Sequence, residues 1–486
     1  MLDRHVRQVF PPTTKSPARE YLSAYLNEPN IVLLGDPGSG KSHTFGEAAS
    51  SSGGTIVTAR QFLLLPSQEL ASSLFIDALD ERRAGRDDND IIDQIVIKLF
   101  ATPSHRVRIS CRDRDWLGDT DLSGFRTYFD RHGGVFVLQL LDLSGDEQRS
   151  ILTANGIASP EAFLKEANER GLSEFLTNPQ NLLMLVEVVQ KEGGWPTTFK
   201  DLFERYTGLL LSEANKTHSQ SGLGKFTPGE ITDVAGAICA LRLISDVEGI
   251  SLENNTSKSE YPSYRTIRIA DQERVQAALT RRLFAATTES SAVSYTHRTT
   301  AEFLAAKTLA QLVRNGFPIG RLQALLGVDG HPAAELRGLN AWLAVHLPEQ
   351  AIHFVEGDPY GVLTYGDAAS LTPDSRLALL NALSSATEND PWMRITNLPD
   401  ARIAPLFADD TASAFESIIR NGSAPFPLRL LALQAIVAAH GSLKVFSDLE
   451  TILKDESRSF AERVLSIDAL MQCGQNELLP VRLTPA

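Results

Sequence analysis

The sequence predicts an α/β domain, a parallel sheet with helices on both faces, followed by an all-α segment, a winged helix and an α-solenoid. Three observations predict it. An apolar strand runs into a glycine-rich loop in IVLLGDPGSGKS, Ile31 to Ser42. Further short apolar strands alternate with helical stretches as far as Leu141, the pattern of a parallel sheet. Beyond Leu143 helical spacing takes over, interrupted by one strand at Ser291 to Tyr295.

The loop is the most specific feature. Ile31, Val32, Leu33 and Leu34 are β-favouring, and Gly35, Gly40, Lys41 and Ser42 fit G-x-x-x-x-G-K-[ST] between that strand and a helix start. Gly35, Gly38 and Gly40 let the backbone curl so that consecutive N–H groups face one anion, and the helix beginning near Lys41 adds its positive end. Lys41 would bridge the β- and γ-phosphates of a nucleotide, and the Ser42 hydroxyl would take a place on Mg²⁺. Gly35, Asp36, Pro37, Gly38, Ser39, Gly40, Lys41, Ser42 and His43 are therefore the candidate cradle.

Only about thirty residues precede that strand, with Pro11, Pro12 and Pro17 breaking them and Arg19 to Leu26 able to form a short helix. No independent domain fits there. After the loop helix, Thr55 to Ala59 reads as a second strand, and Leu74 to Ile76 as a third that ends in Asp77-Ala78-Leu79-Asp80-Glu81. Asp77 can hold Mg²⁺, while Asp80 or Glu81 can orient or deprotonate an attacking water. A solvated helix start is the bland alternative for this run. Asp90 to Phe100 has helical apolar spacing, Val107 to Ser110 is a fourth strand, and Val135 to Leu141 a fifth. Ligands of such sheets bind at the strands' C-terminal ends, where Arg112 also falls. Arg112 would stabilise charge on a γ-phosphate; a surface ion pair with Asp113 or Asp115 is the alternative. A phosphatase-type C-x5-R at Cys111 fails, because Leu117 stands where the arginine would be.

Helices then follow at Gly145 to Ala154, Pro160 to Glu169, Gly171 to Leu176, Pro179 to Gln190 and Leu202 to Glu213, with Lys216 to Gly224 a polar linker. Asn178-Pro179 is a capped start with proline at the first helical position. Pro228 to Leu243 and Asp271 to Leu283 read as helices before the strand at Ser291 to Tyr295, an arrangement compatible with a winged helix. Beyond Pro318, helix follows helix. Arg376 to Leu383, Arg429 to Ile436 and Arg463 to Leu470 share one template, and the last two copies lie 34 residues apart, as in a HEAT-type array of stacked helix pairs. An irregular helical bundle is the alternative.

The chain of 486 residues carries a net charge of -14, which argues against broad nonspecific binding to nucleic acid. Cys111, Cys239 and Cys473 lie far apart and suggest neither a disulfide framework nor a zinc site. The start MLDRHVRQVF lacks an apolar h-region, and no run approaches the ~20 apolar residues of a membrane helix. A cytoplasmic, non-membrane protein is expected.

Between Ile31 and Leu309 the chain resembles the NACHT group of STAND nucleotide switches, the signal-transduction ATPases of bacterial defence proteins and of animal and fungal immune receptors. Phe75-Ile76-Asp77-Ala78-Leu79-Asp80-Glu81 looks like the family's Walker B strand, Ser110-Cys111-Arg112 like its sensor segment, and Asn178-Pro179 like its helical-domain proline, which packs on the adenine. Thr296-His297 to Ala306 looks like the winged-helix motif whose histidine touches the β-phosphate of bound ADP. The resemblance implies a P-loop NTPase sheet of ASCE/AAA-like order and casts His297 as a closed-state latch. It departs from the family in showing no effector domain.

The expected organisation is a lead segment (1–30), a NACHT nucleotide domain (31–142), a helical domain (143–225), a winged-helix domain (226–312) and a HEAT-like repeat domain (313–486). The expected function is a regulatory ATPase switch, closed with ADP and self-associating with ATP, using Mg²⁺. An unknown protein trigger would act on the repeats, and the effector would be a separate protein. The rivals are a helical-repeat scaffold with little turnover and a DNA-acting winged-helix ATPase, for which Arg281, Arg282 and Arg298 supply the basic residues.

Overall fold

A computed structural model describes residues 3–11, 19–35, 38–66, 73–79, 88–102, 106–111, 116, 119–170, 172–212, 226–252, 261–286, 292–389, 398, 400–441 and 443–472. The chain forms two compact units. The first comprises Met1–Thr197, Asp201–Leu210 and Ala333–Glu335; the second comprises Thr198–Lys200, Leu211–Pro332 and Leu336–Ala486.

The first unit is built on a seven-stranded sheet. Its strands are β1 (His5–Phe10), β2 (Arg19–Tyr21), β3 (Asn30–Leu34), β4 (Thr55–Thr58), β5 (Ser73–Asp77), β6 (Arg106–Cys111) and β7 (Phe136–Leu140), in the order β2-β1-β7-β3-β6-β5-β4. The strands from β7 to β4 are parallel, and β1 runs antiparallel to both β7 and β2. β3 is buried along its whole length, as a central parallel strand covered on both faces must be. Alternation divides its side chains between two cores. Ile31 and Leu33 pack with Phe45, Ala48 and Ala49 of α1 (Lys41–Ser52) and with Val6, Phe75 and Leu138. Val32 and Leu34 face the other way, onto a cluster containing Phe62 of α2 (Ala59–Leu64), Ile92 and Ile95 of α3 (Asp88–Phe100) and Phe125 of α4 (Asp119–Phe129). Phe45 meets Phe75 edge to face at 5.3 Å, and burying each such ring is worth roughly 1.5–3 kcal/mol.

The N-terminal segment departs from expectation. Residues 19–21 form strand β2 and Leu22–Tyr25 a 3-10 turn, rather than one helix over Arg19 to Leu26. His5–Phe10 is a strand that periodicity did not announce, because Val6 is its one buried residue; β7 supplies the pairing, with Val6 opposite Leu140. Arg108 on β6 is also unexpected in a core. It is 2% exposed and ties down the segment before β3 by donating to the carbonyls of Leu26, Glu28 and Pro29; burial pushes its pKa down to about 10.

Helices complete the unit: α5 (Gly145–Ala154), α6 (Pro160–Glu169), α7 (Ser173–Thr177) and α8 (Pro179–Glu192), while the residues of α9 (Phe199–Ser212) are divided between the units. Ser144 and Glu147 form a capping box on α5, and Asn178 accepts the N–H groups of Gln180 and Asn181 to start α8.

The second unit begins with α10 (Pro228–Ser245), α11 (Gln272–Leu279) and an antiparallel sheet of β8 (Ile250–Ser251), β9 (Phe284–Ala286) and β10 (Ala292–Tyr295), in the order β8-β10-β9. It continues into α12 (Arg298–Arg314), whose Ala301 to Ala306 are all buried. Gly236 lets α10 lie close to α12, since a Cβ there would stand 2.0 Å from the Thr308 hydroxyl and 2.9 Å from the Leu304 carbonyl. After α13 (Ile319–Leu326), a hairpin of β11 (Gly327–Val328) and β12 (His331–Pro332) interrupts the expected run of helices.

Helices α14 (Arg337–His346), α15 (Ala351–Gly357), α16 (Pro359–Tyr365), α17 (Pro373–Asn389), α18 (Asp400–Ile403), α19 (Ala412–Arg420), α20 (Phe426–Ala438), α21 (Phe446–Lys454) and α22 (Phe460–Gln472) follow. The pair α19–α20 recurs as α21–α22 with a spacing of 34 residues. The shared arginine has a definite use in two copies. Arg376 and Arg429 each donate to the carbonyl five residues earlier, at Leu371 and Ala424, and each reaches a carboxylate further along, at Asp410 and Glu462. Among the described residues no helix is long and apolar enough to cross a membrane.

Candidate phosphate-binding site

The site begins where β3 ends. Leu34 is registered against Cys111 on one side and Gln139 on the other, so the loop leaving β3 emerges between the C-terminal ends of β6 and β7. Gly38 and Gly40 have φ of 75° and 94°, which a side chain would strain, and Gly40 is the residue before α1. A Cβ on Gly35 would lie 2.8 Å from the Ser39 hydroxyl and 3.2 Å from Leu140. Lys41 Nζ donates to the Gly35 carbonyl at 2.7 Å, so the ammonium spans the loop from end to start. Ser39 is 8% exposed, and its hydroxyl has no partner among the described residues. A buried donor inside a ring of glycines suits an anionic ligand. Ser42 and His43 lie exposed in the first turn of α1, and His43 faces Glu47 at 3.8 Å.

Asp77 ends β5, which is separated from β3 by β6, roughly 10 Å away by sheet spacing. The fully buried Ser110 of β6 donates its hydroxyl proton to Asp77 and accepts the Ala78 N–H at 2.9 Å. Ala78 sits at φ 55°, turning the chain sharply after the carboxylate. Ser110 thus orients Asp77, a role with no signal in the local sequence. Among the described residues no group of three or more His, Cys, Asp and Glu side chains could hold a metal ion. Ser42 and Asp77 stand as the candidate magnesium pair, on the chemistry of a hydroxyl and a carboxylate beside a phosphate cradle.

The start of α8 closes on the loop. Pro179 Cγ is 3.7 Å from where a Gly40 Cβ would be, and the Gln180 N–H donates to the Gly38 carbonyl at 3.3 Å. A Cβ on Gly38 would meet Gln180 Oε1 at 2.5 Å and Asn178 Oδ1 at 2.9 Å. Pro179 therefore does reach the loop, and Asn178 and Gln180, not foreseen, touch it as well.

Arg4 is a further residue that sequence reasoning missed. It is 3% exposed, and its guanidinium donates to the Ser39 carbonyl at 2.6 Å, to the Leu141 carbonyl at 2.7 Å and to Glu147 at 3.0 Å. Burial pulls the Arg4 pKa below its ordinary value, against the raising effect of Glu147. Burial works to raise Glu147, yet Ser144, the His5 N–H and Arg4 hold its carboxyl below the usual range.

His297 belongs to the second unit, as the exposed residue before α12, and its side chain makes no capping hydrogen bond. The protein around it still lowers the imidazole pKa by desolvation. Asp36, Pro37, Asp80, Glu81 and Arg112 lie outside the described residues.

No protein-family model matches the chain, and no curated protein matches it. Among solved structures, the chain is similar to the Walker-type ATPase PABY2304 of Pyrococcus abyssi, with 11% identity and a TM-score of 0.25 over 58% of this chain and 92% of that one. A likeness of that size says nothing about function.

Proposed function

We propose that this chain is a nucleotide-operated switch of the NACHT type, which binds ATP and ADP with Mg²⁺ on the loop from Gly35 to His43 and turns over slowly. The observation that carries the reading is the loop itself: three glycines, the buried Ser39 hydroxyl and Lys41 folded across to Gly35, at the end of a central parallel strand. Supporting it, β6 lies between β3 and Asp77's strand, the ASCE-type order. When bound, Mg²⁺ would supply neutralisation of phosphate charge, held by Ser42 and Asp77. Asp80, Glu81 and Arg112 are assigned to water activation and charge stabilisation on the sequence pattern alone.

The contacts of Pro179 and Gln180 with Gly40 and Gly38 give the helical segment a means to feel the loop's conformation. In the proposed cycle ADP favours a closed state latched by His297, and ATP favours self-association. The three-stranded sheet with α10, α11 and α12 is assigned as the winged helix, and the 34-residue helix pairs as HEAT-like repeats that receive a protein trigger. The output, in antiviral defence, would pass to a separate effector protein. A trigger shifts such an equilibrium only by its differential affinity for the two states.

The test is nucleotide content and affinity. Purified protein should carry ADP and bind added ATP saturably, and Lys41→Ala should abolish both; equal binding by the two proteins would exclude this loop as the site. His297→Ala should produce oligomers under ADP, and unchanged monomer by light scattering would remove the latch.

A further inference from the structure

We propose that Arg4 is a positioning residue for the phosphate loop, so that nucleotide binding and the seating of strand β1 stabilise one another. The inference rests on the nucleotide reading above. The three guanidinium nitrogens of Arg4 reach three separate elements: the loop at Ser39, the end of β7 at Leu141, and the first turn of α5 at Glu147. The contact with the loop is the informative one. The Ser39 carbonyl and the Gly40 N–H belong to one peptide group, and in a planar trans peptide they point in opposite directions. By holding the carbonyl, Arg4 turns the Gly40 N–H away from itself, and that N–H is one of the donors a phosphate needs from the cradle. A peptide flip, which glycine at φ 94° would otherwise permit, must break a charge-assisted hydrogen bond.

Arg4 is itself held in place. Glu147 Oε1 accepts from Arg4 Nε and from the His5 N–H, while Oε2 caps Ser144 at the start of α5. Val6, two residues beyond Arg4, is fully buried and registered opposite Leu140. The guanidinium on the loop and the first N–H of β1 are thus held by one carboxylate oxygen, which couples the two. By thermodynamic reciprocity, whatever Arg4 contributes to nucleotide affinity, bound nucleotide returns to the docking of β1.

Two readouts test this on the full chain, with ADP and ATP as probes: the dissociation constant, and hydrogen exchange of the amides of residues 5–10 with and without nucleotide. Arg4→Met should weaken binding about tenfold or more, the scale of a lost hydrogen bond to a charged group. ADP should slow exchange of β1 in the wild type and fail to do so in Arg4→Met. Arg4→Lys, which keeps the charge but cannot serve three acceptors, should fall between. If Arg4→Met binds as tightly as wild type and ADP still protects β1, while Lys41→Ala loses both effects, the positioning role is refuted and the nucleotide site stands. If wild type binds neither nucleotide, the underlying reading fails instead. Should Arg4→Met not fold by circular dichroism, Arg4→Lys decides: unchanged affinity together with unchanged protection refutes the role.

Discussion

Burial fixes the protonation state of His346 and so makes the second unit sensitive to acid. The residue ends α14, is 7% exposed, and lies against Phe303 with ring centroids 4.9 Å apart and Trp342 at 6.3 Å. Its Nε2 has no partner among the described residues. Burial, reinforced by the positive charges of Lys200, Lys307 and Arg314, pushes the imidazole pKa down from 6.5 to about 3. The unfolded chain takes up a proton below pH 6.5 that the folded chain refuses until about pH 3, so stability falls as pH falls through that window. At about 1.4 kcal/mol per unit, His346 alone removes about 2 kcal/mol at pH 5. Glu462, with a pKa of about 2, also loses its contribution on acidification, but from its ordinary 4.5 downward; at pH 5 it accounts for only about 0.2 kcal/mol. Hydrogen exchange of peptides covering 337–346, at pH 7.5 and 5.0 after correction for intrinsic rates, reads the effect within its own unit. His346→Leu should flatten the pH dependence by about 2 kcal/mol. An equal loss in wild type and variant would refute the assignment of that proton to His346.

Three further outcomes follow from contacts elsewhere. Ser110→Ala frees the Asp77 carboxylate and leaves the Ala78 N–H without its acceptor; the Mg²⁺ concentration needed for half-maximal ATP binding should rise about tenfold, as for lost outer-shell partners of a metal ligand. Gly236→Ala forces α10 and α12 apart, because Thr308 and the Leu304 carbonyl occupy the space, and should cost about 1–3 kcal/mol in urea unfolding. Arg429→Met removes the nearer of two arginines paired with the 1%-exposed side chain of Glu462, leaving Arg458 at 3.2 Å and Ser459 to hold its charge against the raising effect of burial. It should cost about 1.5–3 kcal/mol in urea unfolding, the scale of one hydrogen bond to a charged group, and Arg429→Met combined with Glu462→Gln should recover part of that loss.

What the sequence determined by itself is local. The strand-loop-helix around Lys41, the proline-capped start of α8 and the single recurrence of a helix pair after 34 residues are written in neighbouring residues, because turn, cap and periodicity depend on backbone preferences over a few positions. Asp77 was legible for the same reason, as a carboxylate at the end of an apolar run. Tertiary structure decided the partnerships. Strand β1 has one buried residue in six and exists because β7 offers it an edge. Ser110 becomes the residue that orients Asp77 only because β6 inserts between β3 and β5. Arg4 and Glu147 are 143 residues apart, and nothing near either announces the other. Burial of a polar side chain is set by which elements close over it, and that is a property of the assembled fold.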